Sequence, residues 1–246
     1  MKTEIICGRN PVLEALRSGR QIQRIVILRG SKGGAIDQIQ DLAQKRRIPV
    51  DYASKSVVEG LATETSHQGV VAQVAPFSYW ALEDLLDTIA HRQEVPFLVV
   101  LDQIEDPHNL GAVLRSADAA GAHGVIIPQR RAASVTSTVA KTSAGAVEYV
   151  PVCQVTNLAR AIDTLKERGI WVTGADMRGD KLHTEADLTG PLALVIGSEG
   201  RGIRRLIADK CDFLVRLPMY GQVNSLNASV AAGILLYEAV RQRRGL

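Results

Sequence analysis

With 246 residues, 46 % hydrophobic and 22 % charged, the chain can bury a core without metal or disulfide staples and is too apolar for intrinsic disorder. Aromatic residues make up only 4 %, which argues against a broad stacking platform for bases. The net charge of +3 is unevenly spread: residues 1–80 hold eleven Lys or Arg against seven Asp or Glu, whereas residues 81–246 carry one acidic group in excess, so the first third is either a polyanion-facing segment or a plain solvated surface.

The first 75 residues read as a small α/β module. Asn10 and Pro11 are expected to cap and open a helix, with Val12, Leu13 and Leu16 at helical spacing and Gly19 as its stop. A strand is expected over 24–28, an amphipathic helix over 35–47 with Ile36, Ile39 and Leu42 inward, and a short strand over 49–52. A helix opened by Ser54 over 54–61 and a strand over 69–74 complete it. Pro76, a Phe-Ser-Tyr-Trp stretch, a helix over 81–92 and Pro96 then read as a linker across 76–94 and as the domain boundary. Beyond it, apolar runs at 97–101, 124–127, 169–174, 192–196 and 213–217 have the character of buried parallel strands. Helices are expected between them at 110–120, 134–143, 158–167 and 201–208, and a last one at 225–243 closes the chain. This alternation predicts a doubly wound α/β domain over 95–246 with ligands at the carboxyl ends of its strands.

Cys7, Cys153 and Cys211 are odd in number and far apart, with no C-x-x-C pair, so neither a disulfide framework nor a zinc site is indicated. Three small buried hydrophobes in a reducing cytosol are the expectation. No apolar h-region follows Met1 and no apolar run is long enough to span a bilayer. A cytoplasmic protein with no membrane or metal partner is expected.

Three loops in the second part carry chemistry. After the run 192–196 comes G-S-E-G-R-G, from Gly197 to Gly202. Glycines there permit positive φ and close approach of a ligand to the backbone, but a plain tight turn fits as well. The spacing is not the dinucleotide fingerprint G-x-G-x-x-G, no acidic residue stands some twenty positions on, and G-K-[ST] is absent. The second loop is D-P-H-N-L-G-A-V-L-R-S-A from Asp106, which sets Asn109 and Gly111 at a strand-to-helix turn and Arg115 about one turn into the helix. Arg115 there either meets a phosphate or a developing negative charge, or pairs with Asp118 three residues on. The third loop runs L-P-M-Y-G-Q-V-N-S-L-N-A-S from Leu217. Two Asn and two Ser within six residues open an otherwise apolar helix, and since a cap uses one or two of them, hydrogen-bonding capacity is left over.

In order and spacing the three loops resemble the SpoU branch, also called TrmH, of the SPOUT RNA methyltransferases. The matching stretches are N-L-G-A-V-L-R-S-A from Asn109, L-V-I-G-S-E-G-R-G-I from Leu194, and V-R-L-P-M-Y-G-Q-V-N-S-L-N-A-S-V-A from Val215. The N-terminal module is similar to the L30e-like RNA-substrate domain of that family, through G-R-N-P-V from Gly8 and H-Q-G-V-V-A from His67. Within the family the likeness is greatest to bacterial enzymes that methylate a guanosine 2′-hydroxyl of 23S rRNA.

The resemblance implies a knotted SPOUT domain over 95–246, with a parallel sheet and a deep trefoil knot, behind an L30e-like domain over 1–75. It implies S-adenosyl-L-methionine as cofactor, held by Ile196, Gly197, Gly202, Leu217, Met219 and Leu226, and it maps Asn109, Arg115, Glu199, Ser225 and Asn227 onto catalytic positions. RNA would be met by the basic first domain, through Arg9, Asn10, His67 and Gln68, although His67 also suits a simple turn cap. A homodimer is implied, with Arg115 reaching into the partner's pocket and Leu235, Leu236, Tyr237 and Val240 as interface material. Family accounts give the Arg position the role of general base, but bringing a guanidinium from above pH 12 to near neutrality costs about 7 kcal/mol. Arg115 is better suited to stay charged, anchoring a phosphate and stabilising the alkoxide, while Glu199 made more basic by burial, or a water it holds, takes the proton. Alternatives are a sister enzyme acting on tRNA or another rRNA site, a non-catalytic RNA-binding or ribosome-associated protein on the same scaffold, and a nicotinamide-dependent oxidoreductase, for which the fingerprint spacing is wrong.

Overall fold

A computed structural model describes residues 3–62 and 67–245. Two units make up the chain: Met1–Ser78 with Val135–Tyr149, and Tyr79–Ser134 with Val150–Leu246.

The first unit runs β1 (Glu4–Cys7), α1 (Arg9–Ser18), β2 (Ile22–Leu28), α2 (Gly34–Lys45), β3 (Val50–Ala53), α3 (Lys55–Leu61) and β4 (Val70–Val74). Its sheet has the order β1-β4-β2-β3, with β4 antiparallel to both neighbours and β3 parallel to β2. Cys7, Val26, Val58 and Val71 form one small core. On α2 the buried positions are Ile36, Ile39 and Ala43, so Leu42 is only half-buried. Helix α1 begins at Arg9, not after Asn10: Gly8, at φ 106°, makes the turn, and Asn10 lies inside the first helical turn without capping it. Segment Val135–Tyr149 belongs to this unit, as a short helix (Ser137–Thr142, α6 in chain order) and a 3₁₀ turn (Ala146–Glu148). It is fastened by Arg20, which pairs with Glu148 at 2.7 Å and Glu4 at 3.2 Å and donates to the Ala75 carbonyl at 3.0 Å. Tyr149 donates its hydroxyl to Glu14.

The second unit contains α4 (Leu82–His91), β5 (Phe97–Leu101), α5 (Pro107–Ala120), β6 (Gly124–Pro128), β7 (Val152–Val155), α7 (Leu158–Glu167), β8 (Trp171–Ala175), β9 (Lys181–Leu182), β10 (Leu192–Ile196), α8 (Arg205–Ala208), β11 (Phe213–Arg216) and α9 (Ala228–Arg244). Its seven strands are all parallel, in the order β7-β6-β5-β10-β8-β11-β9. Strands β5 and β10 are buried at every residue, as continuous apolar runs in a two-sided parallel sheet require. Helix α4 packs Leu82, Leu85, Leu86 and Ile89 into the core with Leu98, Ile126 and Ile162, so the helix expected to sit in a linker is part of this unit's interior.

The chain builds β5, β6 and β7 outward, then returns to lay β8 and β10 on the other side of β5, which makes a topological switch point. Register sharpens it: Leu101 lies opposite Ile196, Ile196 opposite Ala175, and Ala175 opposite Val215. The loops that follow β5, β8, β10 and β11 therefore leave the sheet together at one edge.

Candidate active site

Asp102, the first residue past β5, is completely buried and receives Arg204 N at 2.9 Å and Arg204 Nε at 2.8 Å. It ties the far end of the glycine loop to the sheet. Within that loop Ser198 and Gly202 pair backbone to backbone, Ser198 N to Gly202 O at 3.2 Å and Gly202 N to Ser198 O at 2.9 Å. Gly200 and Gly202 take the left-handed conformation at φ 75° and 66°. A side chain at Gly197 would put its Cβ 2.1 Å from the Gly202 carbonyl carbon, so glycine is needed there for the loop to fold back on itself, the tight turn that the sequence also allowed. The loop also shortens the helix expected over 201–208, which starts only at Arg205.

Between the loops after β8, β10 and β11 lies a cleft of about 370 Å³. Ile196, Gly197, Gly202, Leu217, Met219 and Leu226 all line it, as do Glu199 and Ser225. Sequence reasoning missed the third wall, Asp176 to Arg178. Its signal was the run 169–174 followed by Ala-Asp-Met-Arg-Gly, a strand end where the doubly wound rule expects a ligand wall. Arg178 grips the Asp176 carboxylate at 2.7 and 2.8 Å and holds its pKa below the usual carboxylate range.

Three predicted polar residues meet at the mouth of the cleft. Asp106 caps α5 by accepting His108 N at 2.9 Å, and Asn109 therefore sits in the first turn of the helix and Arg115 two turns further in. Asn109 Nδ2 donates to Glu199 Oε1 at 2.9 Å, and its Oδ1 accepts Asn227 Nδ2 at 2.9 Å. Asn227 Nδ2 donates to Glu199 Oε1 as well, and Ala228 N approaches the same oxygen at 3.4 Å. Asn227 is at once the cap of α9, which begins at Ala228 and not at Ser225: its Oδ1 accepts Ser229 N at 2.9 Å and Val230 N at 3.2 Å. Arg115 stands apart. It is exposed on α5, does not line the cleft, and forms no ion pair among the described residues, with Asp118 or otherwise. Glu199 is likewise exposed, so the burial expected around it is not supplied by its own chain.

A glycine-paired loop, a polar triangle and an apolar-walled cleft at one sheet edge coincide with the match of residues 96–237 to the SpoU rRNA methylase family. The chain belongs to that family. Residues 5–80 of this SpoU methylase match the RNA 2′-O ribose methyltransferase substrate-binding module. It is 49 % identical over 240 residues to YacO of Bacillus subtilis (strain 168), whose name places it among TrmH-family tRNA/rRNA methyltransferases; 98 % of this chain and 96 % of YacO are covered. Among solved structures it is similar to the SpoU methyltransferase AviRb from Streptomyces viridochromogenes in complex with AdoMet, with a TM-score of 0.83 and 29 % identity over 99 % of this chain and 92 % of that one. It is also similar to an AdoMet-bound rRNA methyltransferase from Sinorhizobium meliloti, with a TM-score of 0.80 and 27 % identity over 99 % and 88 %.

In the first unit of this SpoU methylase the four predicted RNA residues come together, although Arg9, His67 and Gln68, whose Oε1 accepts Arg9 N at 3.2 Å, have structural duties. Arg9 donates Nε to the Gln68 carbonyl at 3.1 Å and a guanidinium nitrogen to the Lys32 carbonyl at 3.3 Å, clipping the loops at 8–10, 30–33 and 67–69 to one another. His67 is only 8 % exposed and accepts Gly69 N on Nδ1 at 2.9 Å, so it shapes the turn and offers little surface to RNA. Asn10 and Gln68 are exposed, the latter at φ 50°.

Proposed function

We propose that this SpoU methylase transfers a methyl group from S-adenosylmethionine to the ribose 2′-hydroxyl of a guanosine in 23S rRNA. The observation that carries the reading is the Asn109–Glu199–Asn227 triangle at the mouth of a cleft that fits the cofactor. A volume of about 370 Å³ lies in the range of small-molecule sites. The apolar walls, Ile196, Leu217, Met219 and Leu226, suit an adenine, and the folded-back glycine loop presents backbone groups beside them. When bound, S-adenosylmethionine supplies an electrophilic methyl group on a cationic sulfur.

The chain's own residues prepare the hydroxyl. Three donors converge on Glu199 Oε1 and fix the carboxylate, while Oε2 has no partner among the described residues and is open to the 2′-hydroxyl proton. The enclosure that Glu199 lacks in its own chain comes, in this reading, from the bound RNA and a second copy. Arg115 acts as a cation, holding a phosphate and stabilising the forming alkoxide. Since it does not reach its own cleft, it serves the cleft of a partner, and the enzyme is a homodimer. Support lies on α9, where Val230, Ile234 and Tyr237 form an exposed apolar stripe, 50 %, 39 % and 54 % accessible. Leu235 and Leu236, expected at an interface, are core residues instead. Helix α5, which carries Arg115, packs on α9 with Ser116 beside Gly233. The same family reading carries the trefoil knot, with the 197–202 and 217–227 loops as its packed walls.

An rRNA substrate is supported by likeness over 99 % of the chain to the Sinorhizobium rRNA methyltransferase. Ribose-methylation mapping of total RNA from a strain lacking the gene tests the reading: loss of one 2′-O-methylguanosine in 23S rRNA is expected. Loss confined to tRNA would give the sister activity instead. Calorimetry separates the oxidoreductase, since S-adenosylhomocysteine should release binding heat and NAD should not.

A further inference from the structure

A second cleft, also of about 370 Å³, opens beside the first. The two share Ser198, Glu199, Arg201 and Ala228, and the second is completed by the loop after β5, from Gln103 to Asp106, and by Asn109. Ser198 lines both, and its Oγ is buried with no hydrogen-bond partner among the described residues. An unpaired buried hydroxyl at the junction of two cavities is a group waiting for a polar ligand atom.

Charge decides what such a ligand can be. Glu105, Asp106 and Glu199 line the second cleft against one arginine, Arg201, an acidic excess that disfavours a phosphate deep inside it and admits a neutral, donor-bearing group such as a nucleoside. Positive charge lies around it. Strand β6 pairs with β5, and the loop leaving β6 is tied to the cleft by Ala133 N donating to the Ile104 carbonyl at 2.8 Å. That tie fastens the loop carrying Arg130 and Arg131 to Ile104, which lines the cleft, and Arg201 lines it from the glycine loop. All three are exposed and none forms an ion pair among the described residues, and Arg131 sits at φ 56°, a conformation that costs energy for a non-glycine residue.

We propose that the second cleft receives the target nucleotide, with its ribose against Asn109, Ser198 and Glu199, and that Arg130, Arg131 and Arg201 hold the phosphates on either side of it. The inference rests on the methyltransferase reading and adds a catalytic-unit grip on RNA to the one expected of the first unit. It also explains how a unit with a net acidic balance engages a polyanion: the acidic groups face the nucleoside and the arginines face the backbone.

The test uses the full-length enzyme and unmodified 23S rRNA transcribed in vitro. Binding is measured as a function of salt, with methyl transfer and S-adenosylhomocysteine affinity measured in parallel. The double variant Arg130→Ala/Arg131→Ala should bind the transcript about 10-fold more weakly, and the slope of log K against log salt should flatten by about 1.4, at ~0.7 per phosphate lost. Its loss of activity should fall on KM for RNA, and its S-adenosylhomocysteine affinity should equal that of the wild type. Arg130→Lys/Arg131→Lys should regain the salt slope, because a phosphate contact needs the charge and not the fork. An unchanged slope and affinity in the alanine double variant, with a wild type that methylates the transcript, overturns the inference and leaves the methyltransferase reading standing. A wild type that binds the transcript but transfers no methyl group overturns both.

Discussion

Asn227 divides its amide between two tasks: its Oδ1 caps helix α9 while its Nδ2 donates to Glu199. On the proposed mechanism stability and catalysis therefore meet in one side chain, and substitutions can pull them apart. Asn227→Ala should lose both, at about 1 kcal/mol of stability for the missing cap. Asn227→Ser keeps a capping oxygen but not the donor, so its melting temperature should approach that of the wild type while kcat stays at least ten-fold down. Thermal denaturation beside single-turnover methyl transfer gives the two readouts. A serine variant with full activity would remove Asn227 from the machinery.

Proton transfer is tested through pH. With Glu199 as acceptor, Glu199→Gln should depress turnover by 10²-fold or more across the pH range, the usual reach of a positioned base. Arg115→Lys should keep the shape of the pH profile and lose amplitude. An alkaline limb that disappears in Arg115→Lys, with Glu199→Gln near wild type, would hand the base role back to the arginine.

A composite site makes a mixing prediction. Arg115→Ala and Glu199→Gln homodimers should each be nearly inactive, yet refolding them together should restore about a quarter of wild-type activity, because heterodimers hold one intact site. No recovery, or a fully active monomer in analytical ultracentrifugation, would place Arg115 outside the partner's cleft.

Acid stability has a named contributor. Glu238, buried on α9, accepts Arg241 Nε at 2.9 Å and Gln242 Nε2 at 2.7 Å. The Arg241 hydrogen bond leads in pulling its pKa from 4.5 to about 2. A depressed folded-state pKa stabilises above the unfolded value, so the contribution is complete above about pH 5 and fades as pH falls from 4.5 towards 2. Allowing for the half-exposed Arg241 partner, about 1–2 kcal/mol is at stake. Denaturant melts of Glu238→Gln should lie below wild type at pH 7, and the gap should narrow below pH 4.5 and close near pH 2.

The thiols give a simple control. Burial pushes Cys153 and Cys211 each up to about 12, with nearby carboxylates adding to it. At pH 8 the folded enzyme should resist alkylation at both positions for hours, and denaturant should expose them at once. Rapid modification of Cys153 in the folded state would contradict the packing of α4 on β7.

How much of this was legible in the sequence depends on what each residue's neighbours were. The buried strands β5 and β10 were plain, because a two-sided parallel strand is apolar at every position. The edge strands β1, β7 and β9 were not, since two to four residues carry too little pattern to separate from a loop. All six residues expected to hold the cofactor follow from motif likeness, and all six line the cleft. The wall at Asp176 had only a strand end as its signal, and the second cleft arises from register, in which Ala175, Ile196 and Leu101 end level across three strands, a pairing that sequence spacing does not show. Asn10 was misread as a cap because Gly8, two residues earlier, already makes the turn.

Segment Val135–Tyr149 has a practical corollary for anyone dissecting the enzyme. Residues 1–78 expressed alone would leave Arg20, whose side chain is 10 % exposed, without Glu148, its nearer counter-ion. A buried guanidinium stripped of that partner is costly, and the fragment should be prone to misfolding or aggregation. Replacing residues 1–78 of this chain by another module would break the same pair unless residues 135–149 travel with them. The first unit of this chain is thus not a detachable cassette but a graft with two scions.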